Sequence, residues 1–321
     1  MSTTHRPGIT VITPVFNEEA GLPEYARVVS AVLLDSAEFD VEVLFVDDGS
    51  SDRSWDVIRE ICARDGRFHA LRLSRNYGAH VALSAGFAHA TRDAVATLAC
   101  DLQDPPETVL EFARAWRNGA QIVWGHRRTR VDSPIRIATS RLFERLIRRF
   151  AMPRGSRFTV GSFLLVDRKV ADCFRQFQEH NRVTFALVAW TGFTETVVEY
   201  DRRERRTGRS GWTYKQMLKT MYDTFIGFSF LPIRLMTLAG VTLSLLTVPF
   251  AGYLVAVYLT GRPLAGWTSV MLALTLFFGI QFLLMGVVGE YLYRIYAEVV
   301  RRPLYFVSDS TTDAGDVARS R

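Results

Sequence analysis

Residues 41–52, VEVLFVDDGSSD, decide the fold. Val41, Val43, Leu44, Phe45 and Val46 make a short apolar run rich in β-branched residues, and the run stops at Asp47 and Asp48 before a glycine and two serines. A strand buried on both faces reads this way, and such strands belong to parallel sheets covered by helices. The DDGSSD segment is also an ordinary capping sequence for a following helix. Taken alone, the stretch therefore specifies a strand and a turn.

Working outward, the same pattern recurs in ITVITPVF (9–16), FHALRLS (68–74), DAVATLAC (93–100) and AQIVWGH (120–126), and the intervals between them have helical period. Alternating strands and helices predict an α/β fold with a mostly parallel, Rossmann-like sheet, in which ligands bind beyond the carboxyl ends of the strands. Those ends carry Asn17 and Glu18, Asp47 and Asp48, Arg75 and Asn76, Asp101 and Gln103, and Arg127. Any one of them is explained as a turn residue or cap; polar groups after all five strands point to a functional edge. In LACDLQDPPE (98–107), Ala99 stands where a second aspartate would make a two-carboxylate metal motif.

The 321 residues leave room for one catalytic domain of roughly 200 residues and a smaller part. No charged residue occurs from Leu235 to Thr260 or from Pro263 to Gly289. Each stretch exceeds the roughly 20 apolar residues that cross a bilayer. The expected organisation is a catalytic domain over 1–232, two transmembrane helices within 233–293 (about 233–260 and 266–290) and a tail over 294–321. Arg234 precedes the first span and Arg294, Arg301 and Arg302 follow the second, whereas only Arg262 lies between them. This places the catalytic domain and tail in the cytoplasm, with the protein multi-pass in the plasma (inner) membrane. MSTTHRPG has no signal-peptide character. Cys62, Cys100 and Cys173 lack metal-ligand spacing and suit a reducing compartment. The polar segment from Ser308 onward predicts no regular structure.

The net charge of +6 resides largely in arginine clusters. PIRIATSRLFERLIRRF (134–150) reads as a basic amphipathic helix, either in the headgroup layer or packed on the domain with a solvated face. DRRERRTGRSGWTYK (201–215) leads into a second interfacial stretch near 212–231. Its RxxGxS spacing suits a phosphate-wrapping loop, and its arginines equally suit anchorage to anionic lipid. No nucleic-acid partner is expected.

With TPVFNE, VDDGS, LSRNYG, DLQDPPE, RERRTGRS, FSFLPIR and GEYLYRIYAEVVRRP in this order, the chain resembles the family-2 glycosyltransferases that make polyprenyl-phosphate sugars. These are the GtrB-like bacterial glucosyltransferases and, more distantly, dolichol-phosphate mannose synthase. The resemblance implies a GT-A α/β catalytic domain followed by two C-terminal transmembrane helices. It assigns Pro14, Val15, Asn17, Glu18, Asp47 and Asp48 to the nucleotide. Asp101 and Gln103 would hold Mg2+ or Mn2+, with Asp101 and Asp104 as the catalytic candidates. Arg127, Arg136, Ser140, Arg203, Arg205 and Ser210 would hold the acceptor phosphate. Magnesium takes few protein ligands and completes its shell with phosphate and water, so one carboxylate and one amide oxygen suffice in principle.

The sequence departs from the family at Gly211, where relatives carry lysine, and at Ser162 and Leu164, where some carry aspartate and arginine. No general base is assigned with certainty, and Asp104 also suits a helix N-terminus before Pro105 and Pro106. The implied activity is inverting transfer of one hexose, from UDP-glucose, to polyprenyl phosphate at the cytoplasmic leaflet, by a homo-oligomer. GDP-mannose and UDP-N-acetylglucosamine are the alternative donors. Competing readings are a processive polysaccharide synthase, which the absence of a QxxRW stretch disfavours, and a non-catalytic membrane scaffold that keeps the nucleotide-sugar fold.

Overall fold

The computed structural model describes residues 6–128, 163–180, 182–203, 231–260 and 266–311. They form two compact units, one of residues 1–224 with 303–321 and one of 225–302. The expected interfacial helices near 134–150 and 212–231 lie outside the described residues, apart from the last position.

The first unit is built on an eight-stranded sheet. Its strands are β1 (Gly8–Val15), β2 (Asp40–Asp47), β3 (Phe68–Leu73), β4 (Ala94–Thr97), β5 (Ile122–Arg127), β6 (Leu164–Asp167), β7 (Glu195–Tyr200) and β8 (Val307–Ser310), in the order β7-β5-β6-β4-β1-β2-β3-β8. β1 pairs in parallel with β2 and β4, β2 with β3, and β5 with β7. The five expected strands are present, but they are not five consecutive neighbours. β6 lies antiparallel between β4 and β5, and β8 lies antiparallel on β3. The sheet is thus mostly parallel, with two reversed strands.

Alternation of side chains gives the central strands two buried faces. Ile9, Val11, Val43 and Phe45 share a core with Leu22, Tyr25 and Val29 of α1 (Leu22–Val29), Trp55 and Ile58 of α2 (Ser54–Arg64), and Val109 and Phe112 of α4 (Glu107–Arg117). On the other face, α3 (Ala79–His89) comes so close that a Cβ on Gly86 would stand 2.3 Å from Ile12 Cγ2. Phe87 of α3 packs in turn on Phe174 of α5 (Arg168–Phe174), and α6 (Thr184–Trp190) follows. Pro14, which has no N–H to donate, sits beyond the β1 residues that pair with β4.

One element here was not expected, and one expectation changes. Leu164–Asp167 is an interior strand that follows the buried Phe163. Four residues, LLVD, carry too little periodicity to reveal that. The tail, expected to lack structure from Ser308, supplies β8: Thr311 N–H donates to Ala70 O at 3.0 Å, and Ala70 N–H donates to Thr311 Oγ1 at 2.7 Å.

The second unit contains α7 (Leu231–Leu259), with Pro249 inside it, and α8 (Trp267–Val300). The helices occur where the two spans are expected. Among the described residues, however, no helix is long and apolar enough to cross a membrane, so the expected spans are not met by that description. The loop with Arg262 lies outside the described residues.

Candidate active site

The carboxyl ends of β1, β2 and β3 meet in a hydrogen-bonded knot. Val15 O accepts from Asp48 N–H at 2.8 Å. Asn17 turns the chain with φ 53°, a left-handed conformation that asparagine tolerates better than most residues. Its N–H donates to Ser50 Oγ (3.0 Å), and its Oδ1 accepts from the N–H groups of Ser51 (2.9 Å) and Asp52 (3.4 Å). Glu18 N–H donates to Ser54 Oγ at 2.9 Å. Asp52, in turn, accepts from Ser54 N–H at 3.0 Å; the N-cap of α2 itself, Arg53, makes no side-chain cap hydrogen bond, so the capping expected of this segment is not met at that position.

Asp47 and Asp48 are both buried, and they face different partners. Asp47 accepts from Ser50 N–H (3.1 Å) and pairs with Arg72 Nε (3.2 Å). Asp48 reaches to the loop after β3, where it accepts from Tyr77 N–H (2.7 Å) and Gly78 N–H (2.8 Å). Burial pushes both carboxyls above the usual range, against the pull of these donors. Between the loops stands Gly49, φ 67°, where a Cβ would lie 2.4 Å from the Arg75 carbonyl carbon. Only glycine fits both the conformation and the gap.

The ends of β4, β5 and β7 form a second cluster. Leu102 adopts φ 53°, and Gln103 N–H donates to Asp101 Oδ1 at 3.2 Å. Asp101 and Gln103 are partly exposed, whereas Asp104 is 2% exposed. Asp104 accepts from the Tyr200 hydroxyl at 2.7 Å, with Arg202 Nε at 3.6 Å and Arg127 Nη2 at 4.0 Å. Arg127 Nε donates to the Tyr200 oxygen at 3.2 Å. Burial opposes charge on Arg127, but Tyr200, Asp104 and Asp101 together hold its guanidinium above the ordinary value. Burial and the Asp104 carboxylate push the Tyr200 phenol well up. Gly125 makes room for this packing, since a Cβ there would meet Tyr200 Cε1 and Phe112 Cζ at 2.9 Å.

Arg203 closes the cluster: its N–H donates to Gln103 O at 2.8 Å, and its guanidinium meets both oxygens of Glu107 at 3.2 Å. Arg136, Ser140, Arg205 and Ser210 lie outside the described residues. Tyr200 and Arg202 are the site residues that sequence reasoning missed. The available signal was the β-branched run Thr196–Val198 in ETVVEY, which suits a strand ending at Tyr200.

Among the described residues, no three His, Cys, Asp or Glu side chains converge as a metal-binding group. The expected pair is one carboxylate and one amide oxygen, Asp101 and Gln103, on a single tight loop. That donor set fits a hard divalent cation whose remaining ligands are substrate oxygens and water.

A family model described as "Glycosyl transferase family 2" matches residues 10–175. The chain belongs to glycosyl transferase family 2. Among the relatives of this family-2 enzyme, the glycosyltransferase YkcC of Bacillus subtilis is 36% identical over 305 residues, covering 94% of this chain and 93% of the relative. The bactoprenol glucosyl transferase of Shigella phage SfII is 31% identical over 304 residues, covering 94% and 98%. Glucosyl-3-phosphoglycerate synthase from Mycobacterium tuberculosis, solved with Mn2+, UDP and phosphoglyceric acid, has a TM-score of 0.50 at 18% identity, over 67% of this chain and 75% of that one. At that identity the likeness concerns the fold, which is the GT-A α/β fold with a mostly parallel sheet.

Proposed function

We propose that this glycosyltransferase moves a single hexose, from UDP-glucose, to polyprenyl phosphate with inversion at the anomeric carbon. One observation carries the reading: the Asp101–Gln103 loop lies against an arginine cluster led by the partly buried Arg127, at the same carboxyl edge of the sheet that carries Asn17, Asp47 and Asp48. An anionic donor and an anionic acceptor both require such a place. The bactoprenol glucosyl transferases, matched over 94% of this chain, support the choice of acceptor and sugar.

In this reading the edge formed by the carboxyl ends of β1 and β2 seats the nucleoside. Phe16, 46% exposed, offers a ring face to the base beside Pro14, Val15 and Glu18, the strand end that the resemblance assigns to the nucleotide. Mg2+ or Mn2+ held by Asp101 and Gln103 would neutralise charge on the leaving diphosphate. Phosphomonoesters have a second pKa of about 6, so the acceptor is largely dianionic near neutral pH. Its oxygen attacks the anomeric carbon as the bond to the diphosphate breaks, and no general base is needed. Asp104 accordingly serves position: it fixes Tyr200, Arg127 and Arg202. Arg127 and Arg203, with Arg136, Ser140, Arg205 and Ser210, hold the acceptor phosphate against repulsion.

The helical unit is proposed to sit in the membrane as two spans, with the GT-A domain in the cytoplasm. The support is that Leu231–Leu259 contains one charged residue, Arg234, and that Leu235, Leu238, Leu245, Phe278 and Phe282 present large apolar surfaces outward. The full chain in detergent, given radiolabelled UDP-glucose, undecaprenyl phosphate and Mg2+, should form a chloroform-soluble product, and EDTA should abolish it. Lack of lipid product from UDP-glucose, GDP-mannose and UDP-N-acetylglucosamine alike overturns the reading and favours a scaffold.

A further inference from the structure

The motif GEYLYRIYAEVVRRP has no part in the chemistry above, yet the residues after it return to the sheet. Phe306 O accepts from Ser74 N–H at 2.9 Å, at the start of the loop that Asp48 holds. The Tyr77 hydroxyl, 2.9 Å from Ser74 Oγ, also meets the Phe306 backbone. Val307–Ser310 then pairs antiparallel with β3. From the middle of β8, Asp309 Oδ2 accepts from Trp55 Nε1–H at 3.2 Å. The Arg72 guanidinium lies over the Trp55 ring at 5.7 Å, donates to Ser50 O at 3.2 Å, and pairs with Asp47. Ser50 Oγ in turn accepts from Asn17 N–H. A continuous set of contacts therefore runs from the C-terminal strand to all three loops of the crevice.

We propose that the segment Phe306–Thr311 is a clasp that positions the donor-nucleotide loops, with Asp309 and Trp55 as its positioning residues. The proposal rests on the assignment of these loops to the nucleotide. Its physical basis is that Arg72 has several possible orientations at the sheet edge, and the Trp55 ring, itself fixed by Asp309, selects the one that meets both Asp47 and the Ser50 carbonyl. Without the clasp, residues 47–52 and 74–78 lose a common support and the crevice is no longer preorganised. Neither Asp309 nor Trp55 is required to touch substrate, so the chemical step should be spared.

The test uses the full chain in detergent, with Asp309→Ala, Trp55→Phe and the conservative Asp309→Asn, which keeps an acceptor oxygen. Hydrogen exchange without nucleotide should quicken in 47–52 and 74–78 for the first two variants and stay near wild type for the third. UDP affinity with Mg2+, and the donor KM, should weaken about five- to tenfold in the first two variants, with kcat within about twofold. GDP is titrated in parallel. Equal loop exchange and equal nucleotide affinity in all variants, with a wild type that binds UDP or GDP, overturn the clasp. A wild type that binds neither nucleotide overturns instead the assignment of the loops. If Asp309→Ala lowers overall stability, Trp55→Phe, which keeps a six-membered aromatic ring in place and loses the N–H together with the five-membered ring, still decides between these outcomes.

Discussion

The two halves of the site edge use carboxylates in opposite ways. On the β1–β2–β3 side, Asp47 and Asp48 are buried, and they accept from backbone N–H groups and pair with Arg72, contacts that join neighbouring loops. On the β4–β5–β7 side one carboxylate, Asp104, is buried as an anchor, while Asp101 stays partly exposed at the crevice. The two adjacent acids of VDDGS are thus both enclosed by loop donors, whereas the two acids three apart in DLQD differ in burial, which suits the division of anchor and metal ligand proposed for them. The type of residue at a strand end is therefore a weaker guide to its role than its burial.

This contrast breaks most sharply at Asp101. Asp101→Ala should lower transfer at least about a hundredfold, the scale of removing one electrostatic stabiliser, while the melting temperature stays unchanged. Radiolabel incorporation and thermal unfolding measure the two together, and normal turnover would remove Asp101 from the chemistry. Asp48→Ala should do the reverse in kind: it deletes the acceptor of two N–H groups and should cost about 3 kcal/mol of stability in urea unfolding.

Acid offers a subtler probe of the β3 side. His80 lies in the first turn of α3 with its Nδ1 buried and, among the described residues, without a hydrogen-bond partner; its ring lies against Phe185, and burial brings its pKa down to about 4. The unfolded chain therefore binds this proton more readily than the fold does. Stability from the neutral ring is complete above the ordinary value near 6.5 and is lost as pH falls toward 4, by roughly 2–3 kcal/mol. His80→Leu should flatten that dependence in denaturation series at pH 7, 6, 5 and 4.5. The smallest effect is expected from Tyr200→Phe. It leaves Asp104 between Arg127 and Arg202 without the hydroxyl, and should raise the KM for lipid acceptor about tenfold with the donor KM unchanged. A rise in donor KM instead would assign the Arg127 cluster to the donor.

Much of this was legible in the sequence, for a definable reason. β1, β2 and β3 are dominated by buried apolar residues and end abruptly, so they announce themselves and place Asn17, Asp47 and Asp48 at one edge. β6 and β8 do not. Leu164–Asp167 is too short for a period, and Val307–Ser310 reads VSDS, a polar run that becomes a strand only because β3 offers it an edge. Asp104 was visible as a candidate acid, but its partner Tyr200 lies far along the chain. No local pattern reports a pairing of that kind. Arg136, Ser140, Arg205 and Ser210 stand on the resemblance alone.

The pairing of β8 with β3 also orders events during synthesis. β3 is made early, and among the described residues its outer edge has no partner until Val307–Ser310 emerges, after α7 and α8 have been translated. Until then the nascent sheet carries an open edge able to pair with other chains. β8 closes it once it emerges, so slow passage through α7 and α8 would lengthen the time in which the new chain is vulnerable to aggregation.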